Sequence, residues 1–107
     1  MTMLVKFMKE EKKYYVYIAT NCPRKTVLYT GVTCRLIKRS GQHEEKMFPN
    51  SFTAKYNVNR IVYYEIFGDV HMAIDREKQI KAGSRKRKIE LINNLNPEWS
   101  DLVAVMF

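Results

Sequence analysis

Two tyrosines, an arginine-histidine stripe and one misplaced glutamate are the residues of this sequence whose types and spacing could do chemistry. Tyr17 lies in YYVYIA, residues 14–19, and Tyr29 in VLYTGV, residues 27–32. Both runs are aromatic and β-branched and read as strands, joined by the polar stretch TNCPRKT. Side chains alternate along a strand, so Tyr15, Tyr17 and Ala19 share one face while Val27, Tyr29 and Gly31 share one face of the second run. A loop centred on Pro23 sets Tyr17 opposite Tyr29 as a close cross-strand pair. Such a pair is either ordinary sheet packing or two phenol hydroxyls brought to one point. Arg35, Arg39 and His43 recur every four residues and form one polar stripe on the helix that follows. Glu77 is the misplaced residue. At 100° per residue with Ala73 as zero, Val70, Ile74 and Ile80 fall at about 60°, 100° and 340°, and Glu77 at about 40°, inside the apolar stripe. An unpaired carboxylate there is costly, so it requires a cation, hydrogen-bond donors, a bound metal ion or the edge of a cleft. A salt bridge to Lys81 one turn on, or to an arginine of another element, satisfies the same requirement, and periodicity alone weighs the two readings equally.

The elements that must position these residues are few, because the chain has 107 residues and 12.7 kDa, the size of one domain. With 46% hydrophobic and 28% charged residues, 13 aromatics, 4 Gly and 3 Pro, it reads as a packed domain rather than a disordered tail. Thr33 can cap a helix running to about Met47, with Leu36 and Ile37 inward. MFPNS is a loop, and FTAKYNV is at most a short helical turn. RIVYYEIF, residues 60–67, is a third strand closed by Gly68 and Asp69. VHMAIDREKQIKA forms a second helix, Gly83 interrupts, and SRKRKIELINNL forms a third that stops at Pro97.

The net charge of +8 and pI near 9.6 point to a polyanion, nucleic acid before membrane. No apolar run approaches the roughly 20 residues of a spanning helix, and Lys6 interrupts the opening hydrophobic stretch, so a cytoplasmic protein is expected. Residues 76–88 carry seven Lys and Arg against one Glu, a net +6 that i,i+4 pairing cannot neutralise and that suits phosphate contacts. Cys22 and Cys34 have no C-x-x-C spacing, and with His43 and His71 they fit no zinc-finger pattern; they read as reduced cysteines.

The order of Tyr15-Val16-Tyr17, Tyr29-Thr30-Gly31, a helix with R-x-x-x-H and a helix with an isolated Glu resembles the GIY-YIG nuclease superfamily. LYTGVT, RLIKRSGQH, SFTAKYNVNRIVYYE, AIDREKQIK and NPEWSDL resemble consecutive blocks of its small stand-alone members. The match spans residues 14–102 and leaves 1–13 and 103–107 as expected tails. The resemblance implies an α+β fold, a small three-stranded antiparallel sheet flanked by helices, and hydrolysis of DNA phosphodiesters with one Mg²⁺ or Mn²⁺ ion. Tyr17 and Tyr29 match the motif tyrosines, Arg39 the catalytic arginine, His43 a histidine found in part of the family and Glu77 the metal-binding glutamate. Asn96, with Asn93 and Asn94 close by, takes the place of the asparagine that closes the site in several members.

One carboxylate suffices for Mg²⁺, which keeps several waters and takes substrate phosphate oxygens. Only three aspartates are present, with no acidic cluster for a metal pair. On this reading Arg39 offsets transition-state charge, and Tyr17 is the general base, its pKa lowered by nearby cations, with Tyr29 orienting water or phosphate and His43 assisting proton transfer; the tyrosine roles can be exchanged. Arg35, Lys55, Arg76, Lys78, Lys81, Arg85, Lys86, Arg87 and Lys88 are the expected nucleic-acid contacts. Departures from the family pattern are YVY for GIY, Thr30 within YTG, Arg35 where relatives often have Asp or Asn, and Gly83 where several have Trp. The expected enzyme is a structure-guided or weakly specific DNA endonuclease of repair or recombination. A short chain leaves no recognition domain, which favours a partner protein that presents the target. A non-cleaving nucleic-acid-binding module is the alternative, against which the intact set Tyr17, Tyr29, Arg39 and Glu77 argues.

Overall fold

A computed structural model describes residues 12–45 and 56–106, with side chains of 41–45, 105 and 106 left aside. In chain order the elements are β1 (Tyr14–Thr20), β2 (Leu28–Thr33), α1 (Leu36–Glu45), β3 (Arg60–Phe67), α2 (Val70–Ala82), α3 (Arg85–Leu95) and α4 (Leu102–Met106). The three strands form one antiparallel sheet in the order β2-β1-β3, as expected from the sequence. The aromatic and β-branched runs become the strands, and the most apolar of them, β1, takes the centre.

Alternation on β1 divides the core. Val16 and Ile18 point to one face, where Val62, Tyr63, Ala73, Ile80 and Ile92 pack them beneath α2 and α3. Tyr17 and Ala19 point to the other, against Leu36 of α1, Val58 and Ile61. Between Ile18 and Ala19 the pairing with β3 shifts by one residue, a bulge at Val62 that lets the consecutive Val62 and Tyr63 join the same core while Ile61 stays with Ala19 on the other side.

Helix ends follow the sequence signals. Asp69 caps α2 by accepting from the amides of His71 and Met72 at 2.7 and 3.3 Å, and Ser84 caps α3 by accepting from Arg87 N at 3.2 Å. Thr33 ends β2, and its hydroxyl accepts from Arg35 N at 3.0 Å just ahead of α1. The expected end of that helix near Met47, and most of FTAKYNV, lie outside the described residues. The segment expected as a C-terminal tail forms α4, opened by Asp101 accepting from the amides of Val103 and Ala104, with Val103 packed on the Tyr17 side of the sheet.

One expectation is corrected. Tyr17 pairs with Gly31 and Tyr29 with Ala19, so the register is displaced by two residues from the one that places the tyrosines directly opposite. The cause is Asn21, whose side-chain oxygen accepts from Thr26 N and Val27 N at 2.9 and 2.8 Å while its amide donates to Thr26 Oγ1 at 2.8 Å. These bonds make Thr20–Leu28 the last pair and centre the loop one residue beyond Pro23. An even shift preserves the face, so both tyrosines still lie on one side.

Candidate active site

Tyr17 is the best-buried of the candidate side chains, 2% exposed at the centre of the sheet. Its ring lies diagonal to that of Tyr29, with centroids 6.2 Å apart and planes tilted by 45°. Its position is set by what is missing across the strand. A Cβ on Gly31, the cross-strand partner, would come within 2.5 Å of Tyr17 Oη and 2.6 Å of Cζ. Gly31 is therefore required for room, since its backbone φ is not positive. The sequence placed Gly31 in the second motif without this role; the signal was a glycine two residues beyond a functional tyrosine on a strand face.

Burial pushes the Tyr17 hydroxyl well above its ordinary pKa of 10.0, and the Tyr29 and Glu77 side chains push the same way, while Arg39 alone pulls down. The expectation that basic surroundings lower this phenol is thus reversed: desolvation outweighs one arginine, and Tyr17 stays protonated at neutral pH. The same interactions bring four sequence-predicted residues together, because Tyr29, Arg39 and Glu77 all act electrostatically on Tyr17. Tyr29 and Arg39 are half-buried, from β2 and α1. Glu77, one helical face of α2 away from solvent, is 16% exposed, and its Oε2 lies 3.6 Å from Lys81 Nζ. The apolar-stripe reading and the Lys81 reading of Glu77 therefore describe the same carboxylate.

Other expected residues are placed differently. The backbone of His43 is in α1, and its side chain lies outside the described residues, as does Lys55. Asn96 is buried, and its side chain is spent on backbone: Nδ2 donates to Val62 O at 3.0 Å and Ser100 O at 2.9 Å, and Oδ1 accepts from Ser100 N at 3.1 Å. That fixes the end of α3 against β3. Arg76, expected to contact nucleic acid, is instead held by Glu65 of β3 through Nε and Nη2, both at 2.9 Å, and donates from Nη1 to Gln79 at 2.7 Å. Tyr63 completes this network by donating to Glu65 Oε2. Burial pushes the Glu65 carboxyl up, but the Arg76 and Tyr63 hydrogen bonds outweigh it and leave the group below its ordinary value of 4.5. Burial and the Glu65 carboxylate in turn raise Tyr63 to about 12. Tyr63 and Glu65 alternate onto one strand face, which is the signal for the pair; nothing in the sequence ties them to Arg76.

Of the remaining cations, Arg35, Lys78, Lys86 and Arg87 are exposed. Arg85 donates to Lys25 O at 3.1 Å, and Lys88 Nζ to Lys81 O at 3.3 Å. Among the described residues no group of three or more His, Cys, Asp or Glu side chains is placed to hold a metal ion, and no helix is long and apolar enough to cross a membrane. Glu77 fits a hard divalent ion as a lone protein ligand: it is a shielded carboxylate with one displaceable lysine, and water and phosphate oxygens can complete the shell.

This arrangement belongs to a known class of catalytic domain. Residues 13–90 match the GIY-YIG catalytic domain, and the chain is a member of that family. Within it the chain is similar to small proteins called UPF0213: 37% identical over 86 residues to one from Syntrophus aciditrophicus, covering 80% of this chain and 95% of the relative. It is 36% identical over 85 residues to one from Staphylococcus saprophyticus (76% and 95%) and 38% over 84 residues to one from Clostridium perfringens (75% and 83%). No solved structure matches the chain. The family implies nuclease-type activity with DNA as substrate, generally with a divalent metal ion.

Proposed function

We propose that the protein is a metal-dependent DNA endonuclease, structure-guided or weakly specific, that serves repair or recombination, with a partner protein supplying target recognition. The observation that carries this reading is the Tyr29 ring 6.2 Å from that of the buried Tyr17, with Arg39 and Glu77 within electrostatic reach of the Tyr17 hydroxyl. Glu77 is the residue that would hold a divalent ion, whose chemistry there would be to polarise the scissile phosphate and stabilise the leaving oxygen. The chain's own groups do the rest. Arg39 offsets the charge that develops on the phosphorane-like transition state. Tyr17, kept protonated by burial, donates a hydrogen bond that orients the attacking water or a phosphate oxygen. That leaves Tyr29, closer to solvent, as the group whose oxygen takes the water proton while its own hydroxyl proton passes to the His43 imidazole. The tyrosine roles are thus exchanged relative to the first expectation.

Nicking of supercoiled plasmid and of branched or flapped DNA, with and without Mg²⁺ or Mn²⁺, tests the reading. Cutting that depends on the metal and is lost in Tyr29→Phe supports it. Binding without cutting on every substrate overturns it in favour of a non-cleaving module.

A further inference from the structure

The β1-β2 loop and the turn after α3 lie far apart in sequence and meet around Trp99, the only tryptophan of the chain. Lys25 Nζ sits over the Trp99 ring, 5.8 Å from its centroid. Arg85 holds the carbonyl of Lys25 at 3.1 Å, and Arg60 holds the carbonyl of Trp99 at 3.3 Å. The ring itself is fixed: Nε1 donates to Asn93 Oδ1 at 2.8 Å, the Trp99 amide donates to Asn96 O at 2.9 Å, and one side packs on the core beneath α2 and α3. The loop is equally rigid, because Asn21 ties its two ends and Asn59 grips Cys22 by both N and O at 2.9 and 3.1 Å.

Two features make this more than a clasp. Lys25 and Trp99 have φ of 56° and 54°, so two of the three non-glycine residues with left-handed backbone among those described meet here. Bulky residues hold that conformation at a cost, and such strain concentrates at functional sites. The second feature is an excess of positive charge. Lys25 covers the ring, Arg60 and Arg85 hold the carbonyls of Trp99 and Lys25, and Arg24 is the exposed residue before Lys25, against Glu98 and Asp101 on the acidic side; an aromatic ring among cations is the combination by which proteins track a phosphate backbone and stack its bases.

We infer that Trp99 is a stacking platform for an unpaired base of the DNA substrate, with Lys25, Arg24 and Arg85 contacting the adjoining phosphates. A stacked base gains more than the loose cation-π contact it displaces, and Lys25 exchanges the ring for a phosphate. Lys25 is four residues from Tyr29, a span of at most ~14 Å of extended chain, but the platform packs on the α2/α3 face of the sheet and Tyr29 on the other, so a strand that meets both rounds the end of the hairpin. The inference rests on the nuclease reading only for the choice of DNA over RNA.

Emission from Trp99 reports directly on the platform. In EDTA, where no cutting occurs, titration with a ten-residue oligo-dT is expected to quench it saturably by half or more. A blunt duplex of the same length and oligo-rU should bind at least fivefold more weakly. Anisotropy of labelled oligo-dT should show binding weakened about tenfold in Trp99→Leu and about threefold in the exposed-site variant Lys25→Gln, with circular dichroism confirming the fold of each. Unchanged emission, equal quenching by duplex, preference for oligo-rU, or wild-type affinity in Lys25→Gln overturns the platform. Plasmid or flap cleavage without quenching by oligo-dT leaves the nuclease standing and removes the platform; quenching with no cleavage of any substrate does the reverse.

Discussion

Glu65 and Glu77 are two carboxylates shielded to nearly the same extent, 23% and 16% exposed, yet their surroundings differ completely. Glu65 receives a two-pronged guanidinium from Arg76 and the hydroxyl of Tyr63, so its lone pairs are taken by the protein. Among the described residues Glu77 faces one ammonium, at 3.6 Å on a lysine that is itself 61% exposed. Arg76 and Glu77 are neighbours on α2, so one turn of one helix supplies both the clamp that neutralises the first acid and the acid with the looser partner. Shielding alone does not mark a reactive carboxylate. The partner count does, because a saturated carboxylate stabilises the fold, whereas an under-partnered one can still bind a cation.

Variants on the two sides should separate these roles. The largest effect belongs to the side proposed to react: Tyr17→Phe removes the buried hydroxyl proposed to orient water or phosphate and should lower plasmid nicking about 100-fold, measured by initial rates, with the fold intact by circular dichroism. On the structural side, Glu65→Gln should leave nicking within about twofold and destabilise by about 1–2 kcal/mol, a value tempered by the partial exposure of the pair and read from urea midpoints. Gly31→Ala tests the seat of Tyr17. Its methyl would collide with the Tyr17 ring, so cleavage should fall about tenfold with a destabilisation of about 1–3 kcal/mol.

Acid titration gives a smaller signature. The folded Glu65 carboxyl lies below its ordinary value of 4.5, so its contribution is complete above that pH and is lost as pH falls through the lower folded value. The wild type should lose stability across that window and Glu65→Gln should lack this component. Lys81→Met is the mildest change. The pair joins an exposed lysine to a shielded carboxylate at 3.6 Å, so stability should fall by about 0.5–1 kcal/mol, read from urea midpoints.

The sequence was most informative where a pattern is local. The three strands, α2 and α3 follow from β-branched runs, helical periodicity and the breaks at Gly68, Gly83 and Pro97, whereas the caps at Asp69 and Ser84 came from the structure. Glu77 stood out because a carboxylate inside an apolar stripe is a local contradiction. What depends on distant partners was hidden. The hairpin register was fixed by the Asn21 side chain rather than by Pro23, which moved Tyr17 from Tyr29 to Gly31. Arg76 looked like one more member of a basic run because Glu65 lies on another element. The direction of the Tyr17 shift followed from its burial within the sheet, which no motif encodes.

The contrast between the two carboxylates is tested most directly by Mn²⁺ titration followed by electron paramagnetic resonance on the wild type, Glu65→Gln and Glu77→Gln. The wild type and Glu65→Gln should each bind one ion with similar affinity, and Glu77→Gln should bind none in the same range. Wild-type binding by Glu77→Gln, or loss of binding in Glu65→Gln with the fold intact, would contradict the assignment of Glu77 as the carboxylate left open for a metal.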